Sequence, residues 1–218
     1  MPVEARPYPV VLLLEGRPVL VVGGGGVADG KVRGLLDAGA KVHVVAPFVS
    51  EAVRAQDVTW EERRYESGEV AGYRFVVACT DDPAVNGQVY RDAEAAGVFV
   101  NVADDPVHCS ATLPARLQRG PILITVSTSG HSPALAGWLR DRLGEAVGPE
   151  HEALVALLAE ARASLAEQGA SRSAADWRSA LDSGMLDDLR AGRTDEARER
   201  LHRALHLPDD PAPDSPEA

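Results

Sequence analysis

Two sets of residues in this chain have types and spacing that could do chemistry: the glycines Gly23, Gly24, Gly25 and Gly26, and the aspartate pairs Asp81–Asp82 and Asp104–Asp105. Glycine lets a backbone turn tightly and approach a ligand with no Cβ in the way, which suits phosphate; a loop carboxylate suits proton transfer. Gly23-x-Gly25-x-x-Ala28 has the spacing of the dinucleotide fingerprint. Gly23 would make the turn, Gly25 would admit a pyrophosphate, and Ala28 would keep the next helix close to the sheet. The free amides of the helix start, from Gly26 through Val27 to Ala28, would receive the phosphates. The fingerprint lacks one part: an acid usually follows about 20 residues later to hold a ribose hydroxyl, but here that place reads Val45-Ala46-Pro47. No arginine stands there either, so the motif leaves NAD and NADP both open.

The elements around these residues must position them. PVLVVG at 18–23 reads as a buried strand, the stretch from Val27 to Leu36 as a helix ended by Asp37-Ala38-Gly39, and KVHVVAP at 41–47 as a second strand. Strand, helix and strand at this length make a parallel βαβ unit. VTW at 58–60, RFVVACT at 74–80 and VFVNV at 98–102 continue as strands, with a helix from Pro83 to about Ala96 between the last two. The alternation predicts an α/β fold with a Rossmann-type doubly wound parallel sheet. Beyond Pro106 the rhythm changes. ATLPARLQ at 111–118 and PILITVS at 121–127 predict an antiparallel pair, and from Ser132 the pattern is helical.

Thr80 with Asp81, candidates to bind the cofactor, and Asp104 with Asp105 then fall at the carboxyl edge where such a sheet forms its binding crevice. Asp81 and Asp82 also suit capping the helix that follows, which is the favoured reading of that pair. The segment after Asp105 reads as extended and offers no helix to cap, which leaves at least one of Asp104 and Asp105 as a general base; a solvated loop acid is the alternative. Ser132 before Pro133 suits a helix cap and needs no ligand.

Lys and Arg total 22 against 33 Asp and Glu, a net charge of -11, which disfavours nucleic acid and anionic membrane partners. Cys79 and Cys109 each stand alone, with no zinc spacing, and suit a reducing cytoplasm. Glu15 and Arg17 interrupt the apolar start before it reaches the roughly 20 residues of a membrane span. The tail LPDDPAPDSPEA, 207–218, carries four prolines and four acids and is expected to be disordered.

GGGGVADGKVRGLLDAGAKVHVVAP, ACTDDPAVN, VNVADDPVHCSATLPA and RGPILITVSTSGHSPALAGWLRDRL, in that order, resemble the siroheme synthase N-terminal family of precorrin-2 dehydrogenases, some also sirohydrochlorin ferrochelatases. The resemblance spans about residues 8–205. It implies a Rossmann-type NAD-binding domain at 1–112, a central homodimerisation segment at 113–146 and a small helical domain at 147–206. It also implies NAD-dependent oxidation of precorrin-2 to sirohydrochlorin, with Fe²⁺ or Co²⁺ as a metal substrate in members that go on to chelation. The family's catalytic aspartate falls on Asp104, as general base; partial burial would strengthen it. The family motif STSGxSPxLA places Thr128, Ser129, Gly130, His131 and Ser132 at the substrate. Thr128 stands where some members carry a phosphorylated serine, and Gly30 precedes Lys31 where an arginine is common. A substrate with eight carboxylates needs local cations, for which Arg116, Arg119 and Arg140 are the candidates; solvated or interface charges are the alternative. No resident metal is expected: His108 and His131 have no second ligand at a metal spacing, and Cys109 reads as a packed small residue. A dehydrogenase without chelatase activity and a non-catalytic NAD or tetrapyrrole binder remain alternatives.

Overall fold

The computed structural model describes residues 7–171 and 173–207, and residues 208–218 of the acidic tail lie outside the described residues. The chain forms two compact units, one running through Pro114 and including Ser127–Pro133, the other comprising Ala115–Val126 and the residues from Ala134 onward.

The first unit is a five-stranded parallel sheet: β1 (Pro18–Val22), β2 (Lys41–Ala46), β3 (Thr59–Glu62), β4 (Phe75–Ala78) and β5 (Phe99–Val102), in spatial order β3-β2-β1-β4-β5. Runs of valine explain why the central strands form. With helices on the sheet, β1 and β4 are buried along almost their whole length, and β-branched residues fit a pleated surface covered on both faces. Helices α1 (Gly26–Leu36), α2 (Glu51–Arg54) and α3 (Pro83–Ala96) follow β1, β2 and β4. α1 rests on the sheet through Ala28, Val32 and Leu35, at helical spacing. α3 starts where Asp82 accepts from the Ala84 amide at 2.9 Å and stops at Gly97 with φ 66°. The expected alternation holds, with α2 as an additional single turn too short to leave a periodic signal. The segment after Asp105 corrects an expectation: it is not extended throughout, since Pro106–His108 forms a 3₁₀ turn.

The second unit holds an antiparallel hairpin, β6 (Ala115–Arg119) with β7 (Ile122–Val126), and helices α4 (Pro133–Ala146), α5 (Glu150–Glu167), α6 (Ala174–Leu181), α7 (Met185–Arg190) and α8 (Thr194–Leu205). Its core is made by Leu157, Ala161 and Leu165 of α5, Met185 and Leu189 of α7, and Leu201 and Leu205 of α8, among others. Along both hairpin strands half-buried and exposed residues alternate, with none fully buried.

Candidate functional site

The switch point of the sheet lies between β1 and β4, and the glycine turn stands at its carboxyl edge. Gly23 has φ 125°, and a Cβ there would come within 2.6 Å of the Cys79 carbonyl oxygen. A Cβ on Gly24 would lie 2.2 Å from the Phe48 carbonyl oxygen, so the turn packs directly on the loop after β2. Gly25 and Gly26 meet nothing within 4 Å. The close-packed side of the turn thus excludes side chains, while its other side is open at the start of α1. The first intrahelical bond there runs from Asp29 N to Gly25 O at 3.2 Å, and Gly25 caps the helix with no side-chain bond. The amides of Gly26, Val27 and Ala28 precede that bond and are the orphan donors of the helix start. An open, positively polarised cradle of this kind fits a pyrophosphate.

At the end of β4, Thr80 and Asp82 are committed to local structure. The Thr80 hydroxyl donates to Asn86 Oδ1 at 2.8 Å, and Asn86 returns a bond to the Thr80 carbonyl at 3.0 Å. Asp82 is the helix cap that the sequence suggested, whereas Asp81 is exposed and its carboxylate has no hydrogen-bond partner among the described residues. Cys79 lies beneath the glycine turn, and burial pushes its thiol up to about 11 even though the nearby Lys31 ammonium pulls it down.

The loop after β5 separates the two acids that the sequence left undivided. Asp105 Oδ2 lies 2.6 Å from His108 Nδ1, and that hydrogen bond lowers the Asp105 pKa, making it a weaker base. The His108 ring stands edge-on to Tyr90 of α3, with centroids 5.0 Å apart. The Val102 amide donates to Cys109 Sγ at 3.2 Å, and that thiol lies 3.2 Å from the Asp105 carbonyl, so Cys109 braces the loop as a packed residue. Asp104 has φ 58°, is exposed, and has no hydrogen bond or ion pair among the described residues. A left-handed non-glycine residue is uncommon enough to mark a held conformation. The partial burial expected for Asp104 is therefore not supplied by the described residues.

In the segment Ser127–Pro133 the polar side chains hold the turn itself. The Ser132 amide donates to the Thr128 hydroxyl, which donates to the Ser132 carbonyl, both at 3.0 Å. His131 Nδ1 lies 2.8 Å from the Thr128 carbonyl, while Ser129 and Gly130 take φ 51° and 77°. Arg116, Arg119 and Arg140 belong to the second unit; Arg119 donates to the Val147 carbonyl at 3.0 Å and Arg140 to Asp141 at 2.7 Å. Among the described residues no three His, Cys, Asp or Glu side chains could together hold a metal ion, and no helix is long and apolar enough to cross a membrane.

Sequence reasoning missed a pair formed by Arg54, the last residue of α2, and Glu62, the last residue of β3. Glu62 Oε1 accepts from Arg54 Nη2 at 2.5 Å and from the Val49 amide at 3.2 Å, and Arg54 Nε donates to the Val49 carbonyl at 2.8 Å. The signal that finds it is the parallel register, which sets Ala46 beside Glu62.

A parallel sheet in the order 3-2-1-4-5 with a glycine cradle at its switch point defines a Rossmann-type nucleotide-binding protein. Residues 10–115 match a family described as putative NAD(P)-binding. The chain is 39% identical over 200 residues to siroheme synthase from Photobacterium profundum, covering 88% of this chain and 42% of that protein. It is 36% identical over 203 residues to siroheme synthase from Nitrosococcus oceani, covering 90% and 43%. Among solved structures it is similar to SirC, precorrin-2 dehydrogenase, with a TM-score of 0.69 and 26% identity over 90% of this chain and 99% of that one. These likenesses support the siroheme synthase N-terminal family, and the chain spans under half the length of these two curated relatives.

Proposed function

We propose that this chain oxidises precorrin-2 to sirohydrochlorin with NAD⁺, with Asp104 as the general base. The observation that carries the reading is the placement of an unpartnered, left-handed aspartate on the same sheet edge as an open glycine cradle. The similarity to siroheme synthases and to a precorrin-2 dehydrogenase supports the substrate.

In this mechanism the amides of Gly26, Val27 and Ala28 bind the pyrophosphate, and Gly23 and Gly24 keep the turn close enough for them to do so. When bound, the nicotinamide supplies the hydride acceptor. Asp104 takes the proton that the substrate gives up as the hydride leaves, so one substrate and NAD⁺ yield product, NADH and one proton. His108 keeps Asp105 occupied, which leaves Asp104 as the free carboxylate of the pair. Bound tetrapyrrole over the exposed Asp104 would exclude water from its carboxylate. Thr128, Ser129, Gly130, His131 and Ser132 are proposed as the rim for a substrate carboxylate, and Arg116, Arg119 and Arg140 as its cations. Further elements of the proposal are a homodimer formed through the central segment 113–146, which carries the hairpin and α4, a cytoplasmic location suited to two free thiols, and metal insertion with Fe²⁺ or Co²⁺ as substrate.

An anaerobic absorbance time course with precorrin-2 tests this, run with NAD⁺, with NADP⁺ and without nucleotide, followed by Fe²⁺ or Co²⁺. Nucleotide-dependent sirohydrochlorin formation is expected from the wild type. Asp104→Asn should lower turnover by about 100-fold or more while binding nucleotide normally. Folded protein that never oxidises precorrin-2 faster with nucleotide than without it would overturn the assignment.

A further inference from the structure

A cofactor's ribose 2′ position has no evident reader in this sequence, because the second strand ends Val45-Ala46-Pro47 without an acid. The fold brings one from elsewhere. Glu62 is the last residue of β3 and lies in register with Ala46, the last residue of β2, so its carboxylate stands at the same edge of the sheet. Glu62 Oε1 accepts from the Val49 amide and from Arg54 Nη2, while its Oε2 makes no hydrogen bond with any described residue. The loop that this pair clasps also touches the glycine turn: the Ser50 amide donates to the Gly24 carbonyl at 2.9 Å, and the Phe48 carbonyl fills the space beside Gly24. The pair therefore lies one loop away from the pyrophosphate cradle, on the β2 side where the adenosine half of a dinucleotide extends. It is open to a ligand, since the Arg54 and Glu62 side chains are 40% and 42% exposed. Phe48, on the same loop, presents a ring that is 67% exposed and could cover an adenine face.

We infer that the Arg54–Glu62 pair reads the ribose 2′ position and selects NAD over NADP. Glu62 Oε2 accepts the 2′-hydroxyl, which a 2′-phosphate lacks as a donor, and the carboxylate repels that phosphate. Glu62 also neutralises Arg54, the guanidinium that would otherwise welcome a phosphate. This inference rests on the proposed use of a nicotinamide dinucleotide.

Direct titration of the full chain with NAD⁺ and with NADP⁺, read by calorimetry, tests it without any turnover. The wild type should prefer NAD⁺. Glu62→Gln loses the anion and frees Arg54, so the ratio of the two affinities should move toward NADP⁺ by about tenfold or more. Arg54→Gln in the Glu62→Gln background should take away the part of that gain owed to the guanidinium. A purely structural clasp predicts something else: Glu62→Gln would weaken both nucleotides alike, and that result overturns the inference. Where Glu62→Gln does not fold, Arg54→Gln alone decides: NAD⁺ affinity kept with NADP⁺ affinity lowered supports the reading, and parallel loss overturns it. A folded wild type that binds neither nucleotide overturns the cofactor assignment itself, a result distinct from an unchanged ratio in a protein that binds both.

Discussion

In the sheet unit Val19, Leu20 and Val21 of β1 are fully buried, and the groups offered for chemistry are backbone amides and loop side chains at one edge. In the second unit the hairpin strands bury no residue fully, and α4 leaves Leu135, Trp138 and Leu143 at 47%, 58% and 42% exposure. The first arrangement fixes a ligand cradle by packing that needs no partner. An isolated two-stranded hairpin with its apolar residues half in water is marginal by itself, and exposed apolar side chains of this kind mark a surface that association can cover. The contrast teaches that substitutions in the buried strands of the sheet unit should cost more stability than substitutions on the half-exposed hairpin.

The sharpest way to break that contrast is Gly24→Ala. Its Cβ would meet the Phe48 carbonyl at 2.2 Å, and because both sides of the clash are backbone, a loss of about 3 kcal/mol together with nucleotide binding is expected. Gly25→Ala, with nothing within 4 Å, should leave the unfolding midpoint unchanged and weaken only nucleotide binding; calorimetry and thermal melts separate the two. Next in size, Leu20→Ala in the buried sheet should cost about 3 kcal/mol, whereas Leu123→Ala, 40% exposed on the hairpin, should cost under about 1 kcal/mol in denaturant titrations. Equal costs would refute the division between a self-sufficient core and a marginal hairpin.

Surface perturbation of the second unit should change assembly more than folding. Trp138→Glu is expected to move the sedimentation profile from dimer to monomer with little change in the melting of the sheet unit; a profile unaffected by the change would place the proposed interface elsewhere. Within the helical core, Asp188 is buried and bonded to Arg193 at 2.6 Å and Arg200 at 2.5 Å, and these hydrogen bonds hold its carboxyl below the ordinary value. Its contribution should therefore be complete above the ordinary carboxylate range and vanish as pH falls through the lowered value. Melts of wild type and Asp188→Asn should differ at neutral pH and converge in strong acid. The smallest effect is chemical: with its thiol raised to about 11, Cys79 should resist alkylation in the folded protein at pH 8 and react only on unfolding.

Much of the sheet unit was legible because its signals are local. Asp82-Pro83 opens α3 and the helix ends at Ala96, as expected, and the valine runs marked the central strands. β3 was harder to bound, since all of Thr59–Glu62 is exposed and an edge strand lacks the apolar alternation that burial imposes. α2 and α7, of four and six residues, are too short to establish a period, and α7 follows Gly184 at φ 90°. At the site, the glycine cradle and the cap at Asp82 were readable from spacing. Which of Asp104 and Asp105 is free was not, because the answer depends on a side-chain bond from His108 across a 3₁₀ turn.

The sequence by itself determined the βαβ alternation, the glycine turn between β1 and α1, and the loops that carry the acids, all of which follow from propensity and periodicity within a few residues. Only the tertiary structure decided that Glu62 stands beside Ala46 and that the Phe48 carbonyl closes the space next to Gly24. Those neighbours are set by strand register and crossover packing between segments far apart in the chain, so no local pattern encodes them.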